Sequence, residues 1–178
     1  MKTTLNAIRK HGLCDPGWRK LLAYLNKTES DDEPLSLLTI LDSNGLDDAL
    51  WALRAVEGHD REKRLYAVWC ARQVEHLLTD QRSRDALDVA ERFARGRATR
   101  EELDAAWAAA RAAGDAWDAW AAAAATAATA AYAAYAAYAI TASAATARAD
   151  AVAAQTAEFR RVCECIDAGR DPYPEGTT

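Results

Sequence analysis

AAAAATAATAAYAAYAAYAITASAATA runs from Ala121 to Ala147, and with Ala119 and Trp120 it makes 29 consecutive residues without a charge. Four readings compete for such a stretch: a membrane span, an ice-binding helix, a linker, or the interior of a folded domain. As a helix it would rise roughly 44 Å, enough to cross a bilayer. Its chemistry is wrong for that, because alanine, threonine and serine gain little in hydrocarbon and Ile140 is the only strong hydrophobe. Ice-binding helices need threonines on one face. Residues three apart instead drift about 60° per step, so Thr126, Thr129, Tyr132, Tyr135, Tyr138 and Thr141 wind around the cylinder. A helical spacer would carry charges to stay soluble. Burial is the remaining reading: alanine admits close helix approach, while Tyr132, Tyr135, Tyr138, Trp117 and Trp120 fill the gaps.

A single helix from Asp115 to Ala168 would extend roughly 80 Å, against a radius of gyration of about 16 Å for a compact chain of this size. The segment is therefore expected to fold back as a hairpin, turning near Thr141–Ser143 or near Thr126–Thr129, where hydroxyls can cap helix ends. The polar N-terminal half is then left to dock partners.

Working outward, the chain reads as helix after helix. Asp15-Pro16 places a capping acid before a proline, and Pro34 is expected to open LSLLTIL, closed by DSNG. Leu46, Leu50, Leu53 and Val56 share one face of the next helix, which Gly58 ends. Asp60 is expected to cap REKRLYAVWCARQVEHLL, and Ser83 to start RDALDVAERFAR, stopped by Gly96. Thr99 with Glu102 spells a capping box, and Gly114 interrupts the helix that follows. No stretch alternates apolar and polar residues, so no sheet is expected. The predicted fold is all-α, a single-domain multi-helix array with a closely packed alanine-rich C-terminal helical hairpin. Its one domain covers residues 1–170 (mixed composition over 1–100, alanine-rich helices over 101–168), and 171–178 reads as a flexible tail.

The opening MKTTLNAIRKHG has no apolar leader, and Cys14, Cys70, Cys163 and Cys165 have neither disulfide-framework nor CxxC spacing. Reduced thiols and a cytoplasmic location are the expectation. Charge is uneven: residues 31–60 hold eight acids against one arginine, and residues 61–100 hold ten bases against six acids.

The search for chemistry finds none. In DSNGLDD the glycine stands fourth from Asp42, where a calcium loop needs it sixth. Cys163 and Cys165 lie about 200° apart on a helix and cannot share a metal. Phosphate loops and hydrolase motifs are absent. No catalytic residues, metal site or cofactor are expected, and the chain reads as non-enzymatic. Two charged surfaces remain as candidates. Asp31, Asp32, Glu33, Asp42, Asp47 and Asp48, with Trp51 as an apolar anchor, suit electrostatic docking onto a basic protein. Arg82, Arg84, Arg92, Arg95, Arg97 and Arg100 suit phosphate or nucleic acid, although Asp85, Asp88 and Glu91 lie among them at ion-pair spacing.

ILDSNGLDDALWALRAV, RLYAVWCARQVEHLL and DVAERFARGRATREELDAAWAAARAAGDAWDAWAAAA together resemble the alanine-rich, all-helical immunity proteins of bacterial polymorphic toxin systems, also carried by phages and prophages. The likeness covers about residues 34–125, in an acidic NGLDDALW turn-helix, an ARG-x-x-T-x-E-E-L capping box and a tryptophan-alanine tail. After Asp118 the family's alternating charges give way to threonine and tyrosine. The resemblance implies a protein target, either a toxin or a host-defence effector such as a CRISPR-type complex, neutralised by steric occlusion. Two alternatives stay open: a homo-oligomeric helical scaffold, and a nucleic-acid binder using the arginine patch.

Overall fold

The computed structural model describes residues 1–12, 14–78, 80–112 and 145–176. The alanine run, its expected turn and the aromatic residues from Trp117 to Tyr138 lie outside the described residues, as does Gly114. Within the described residues the fold is all-α, with one minimal sheet.

That sheet pairs β1 (Lys2–Thr3) antiparallel with β2 (Leu35–Ser36), Lys2 opposite Ser36 and Thr3 opposite Leu35. The Thr3 hydroxyl is buried and donates to the Ala55 carbonyl at 2.6 Å. This corrects two expectations. A pair two residues long cannot display alternation, so no pattern announced it. Pro34 also does not open a helix: Leu35 is extended on Thr3, and the Ser36 hydroxyl caps α3 (Leu37–Asn44) by accepting from the Leu38 N–H at 3.2 Å.

α1 (Leu5–Lys10) is capped by Thr4, whose hydroxyl accepts from the Ala7 N–H at 3.1 Å. In α2 (Asp15–Tyr24) the cap position falls on Cys14, and Asp15 is the first helical residue, where its charge still favours the helix N-terminus. α3 passes directly into α4 (Leu46–Ala52) through Gly45, whose φ of +96° disfavours any side chain. A 3₁₀ turn, Leu53–Ala55, follows. Leu46, Leu50, Leu53 and Val56 are all buried, as their spacing predicts.

α5 (Asp60–Arg72) starts after His59, which sits in the left-handed region; Asp60, expected as the cap, is again the first helical residue. α6 (Gln81–Ala94) begins two residues before the expected Ser83, because Asp80 caps it by accepting from the Arg82 N–H at 2.9 Å. The capping box on α7 (Arg100–Ala112) is reciprocal: the Thr99 N–H donates to Glu102 at 2.6 Å, and the Glu102 N–H donates to the Thr99 hydroxyl at 3.2 Å. α8 (Ala145–Asp167) completes the described helices.

Among the described residues the largest core cluster lies mainly in the N-terminal half. Leu5, Ile8, Leu21, Leu37, Ile40, Leu41, Leu50 and Leu53 pack with Tyr66 and Cys70 of α5 and with Phe159, Val162 and Cys163 of α8. The N-terminal half, which the sequence reading leaves to dock partners, also builds this core, its leucines burying more apolar surface per residue than alanine can. α5 serves two layers. Tyr66 and Cys70, four apart, face the main core, while Val68 and Ala71 join smaller clusters with α6 and α7.

Residues 171–176, part of the expected tail, fold back onto this body. Pro172 is buried and Tyr173 packs against the core. The Tyr173 hydroxyl donates to Glu158 at 2.9 Å, and Arg161 lies over its ring at 5.4 Å. Arg61 donates to Asp171 at 2.9 Å and to the Tyr173 carbonyl at 2.8 Å.

Candidate functional site

The acidic candidates occupy two settings. Asp31, Asp32 and Glu33 form a loop held from both sides: the Asn6 N–H donates to the Asp31 carbonyl at 3.0 Å, and the Lys27 ammonium reaches Asp31 at 2.5 Å and Glu33 at 2.6 Å. Hydrogen bonding from Lys27 holds the Asp31 carboxyl below the usual carboxylate range. Thr4 donates to Asp32 at 3.5 Å. The shallow clefts along this loop are lined by Lys2, Arg9, Lys10 and Lys27 as well as by the acids, so the negative charge here is largely met by the chain's own bases.

Asp42, Asp47, Asp48 and Trp51 sit on α3 and α4 and line none of those clefts. Asp42 is joined to Arg160 of α8. Asp48 is a structural residue: it accepts from Asn44 Nδ2 at 2.6 Å, and Asn44 Nδ2 also donates to the Gly17 carbonyl at 2.8 Å, which ties α2 to the α3–α4 turn. Asp47 and Trp51, four residues apart on α4, share a face with Arg54, whose guanidinium lies 5.5 Å from the Trp51 ring. Asp47 and Arg54 are exposed and Trp51 is half-buried against the core.

The close contact of Asp48 with α2 yields a direct test. A β-carbon on Gly17 would meet Asp48 Oδ2 at 2.6 Å. Gly17→Ala, ordinarily favourable in a helix, is expected to destabilise the fold by about 1–2 kcal/mol in a denaturant titration. In an Asp48→Ala background the same substitution is expected to become neutral or stabilising.

The six arginine candidates do not share one surface. Arg82 pairs with Asp80 at 2.7 Å and holds the Asp80 carboxyl at about 2. Arg84 donates to the Leu78 carbonyl. Arg100 reaches Asp104 at 3.9 Å and lies over Phe93 at 6.0 Å. Only Arg92, Arg95 and Arg97 come together, lining one cleft with Arg72. Arg72 escaped sequence reading because its partners Asp88 and Glu91 lie on another helix.

Two of the thiols are inert. Burial pushes Cys70 and Cys163 up to about 12, so both stay protonated at neutral pH. Among the described residues no group of three histidines, cysteines or carboxylates is arranged to hold a metal. No helix among them is long and apolar enough to cross a membrane. Comparison with family models, with curated proteins and with solved structures gives no match to this chain.

Proposed function

We propose that this chain is a non-enzymatic, protein-binding inhibitor of the immunity type, which neutralises a toxin or a host-defence effector by steric occlusion. The observation that carries the reading is the face, continuous over α4 and the 3₁₀ turn after it, that bears Asp47, Trp51 and Arg54. Its backbone is fixed from beneath by Leu46, Ala49 and Leu50, all buried, and from the side by the Asn44–Asp48–Gly17 hydrogen bonds. A rigid helix carrying an exposed acid beside a partly covered tryptophan loses little entropy on docking, and aromatic anchors of this kind dominate interface energies. The NGLDDALW segment that bears this face is also the most specific part of the resemblance to immunity proteins.

Titrating the chain into the toxin or defence effector encoded beside it tests the reading. A complex that weakens steadily as salt rises is expected, with Asp47→Lys slowing association about tenfold. Asp48 is unsuitable for this purpose because its loss perturbs the α2 contact. No complex, or one indifferent to salt and to Asp47→Lys, would mean the face is wrongly assigned.

A further inference from the structure

We propose that the cleft between α6 and the C-terminal segment is an anion site that takes a phosphoryl group, with the Glu175 carboxylate as its built-in, displaceable occupant. The cleft, about 330 Å³, is lined by Arg72, Arg92, Arg95, Arg97, Asp88, Glu91, Glu175 and Gly176. Its floor is a fixed network. Arg72 reaches Asp88 at 2.6 Å, Glu91 at 3.4 Å and Glu75 at 2.9 Å, and Arg95 reaches Glu91 at 3.1 Å. Those acids are therefore committed to the two arginines beneath.

The rim is different. Arg92 is half exposed, and its carboxylate partner Glu102 stands 3.7 Å away, beyond hydrogen-bonding range. Arg97 is also half exposed and holds Glu175 at 2.5 Å. Glu175 comes from the other end of the sequence and is itself two-thirds exposed. The segment that delivers it is anchored upstream at Asp171 and Tyr173, so Glu175 can leave without disturbing that anchor. When it leaves, Arg92 and Arg97 at the rim have only Glu102, at 3.7 Å, between them, while Asp88, Glu91 and Glu75 stay paired with Arg72 and Arg95 below. The rim is then locally positive on a chain of net charge −5.

The chemistry favours a phosphoryl anion over another carboxylate. Guanidinium forks match its oxygens in bidentate pairs, and its second charge answers both rim arginines at once. The bound Glu175 shows that the cleft accepts an oxyanion of the smaller kind. The site is independent of the proposed α4 docking face, so either can fail alone.

The test is titration of the full chain at fixed ionic strength with pyrophosphate in one arm and phosphoserine in the other, followed by calorimetry and by the Gly176 amide resonance. Saturable binding is expected, tightened about threefold or more by Glu175→Gln and weakened about tenfold by Arg97→Gln or Arg92→Gln. Tighter pyrophosphate binding would identify a free polyphosphate as the ligand class, and tighter phosphoserine binding a modified side chain. The substituted residues are exposed, and an unchanged denaturation midpoint checks that each variant folds. Absence of saturable binding up to 10 mM, or binding that ignores all three substitutions, overturns the proposal.

Discussion

Phe159→Ala is expected to remove about 3–5 kcal/mol of folding stability, a large share of what a domain of this size possesses. Phe159 is 1% exposed and meets Tyr66 edge-to-face, ring centroids 5.5 Å apart at 71°. Tyr66 in turn donates its hydroxyl to the Gln155 carbonyl of α8 at 3.1 Å and stacks near Trp69 at 6.5 Å. The pair is the joint between α5 and α8. Truncating it forfeits the transfer energy of a benzyl group, leaves a cavity that Val162 and Cys163 cannot collapse into, and loses the ring-ring term. Urea denaturation followed by tryptophan fluorescence measures the loss directly. Phe159→Leu, which keeps most of the volume, should cost far less. Equal midpoints for Phe159→Ala and the parent chain would mean that α8 is not part of the core.

The second large effect is alkaline. An unfolded thiol ionises near pH 9, whereas burial raises Cys70 and Cys163 in the folded chain to about 12. Below pH 9 both states keep these protons, and the contribution is flat. Between pH 9 and about 12 the unfolded chain releases protons that the folded chain retains, so stability falls as pH rises, by roughly a kcal/mol per pH unit for each thiol. Tyr66, also raised by burial, acts in the same direction above pH 10. Lys63 opposes them, since burial lowers its pKa below the ordinary lysine value and its charged form is the penalised one. Tyr173, raised by burial as well, adds to the loss, and with these four groups against Lys63 a net loss of several kcal/mol is expected between pH 8 and 11. Cys70→Ala and Cys163→Ala should each flatten the slope even though each lowers stability at neutral pH. An unchanged slope in both variants would show that the thiols are not the titrating groups.

Much of the local architecture was legible because its signals are short-range. The Thr99–Glu102 box, the turns at Gly45, Gly58 and Gly96, and the buried face Leu46-Leu50-Leu53-Val56 all follow from spacings of three or four residues or from single glycines. The start of α6 shifted by two residues because Asp80 caps it ahead of Ser83, whereas α2 and α5 begin one residue early after Cys14 and His59, neither of which makes a side-chain capping bond. The placement of the core was not legible in the same way. Alanine content drew the reading toward residues 119–147, whereas the described core is built on leucines of the N-terminal half. A signal for the contribution of α8 did exist: Val152, Phe159, Val162, Cys163 and Ile166 recur at helical spacing within the alanine-rich region.

The candidate sites divide along the same line. Lys27 and Asp31 are four residues apart, so their pairing could be anticipated. Asp42 with Arg160, 118 residues apart, could not, and neither could Glu175 with Arg97. Net charge along a segment says nothing about which charges the fold will spend on distant partners.

The contact between Tyr66 and Gln155 spans 89 residues of sequence. During synthesis, therefore, Tyr66 and Cys70 leave the ribosome long before Phe159 arrives to cover them. At elongation rates of about 5–20 residues per second that interval lasts roughly 5–20 s, ample time for a nascent-chain chaperone to bind the uncovered α5 face. Slowing translation between these points should lengthen that exposure and raise the fraction of chains lost to aggregation before the last helix closes over them.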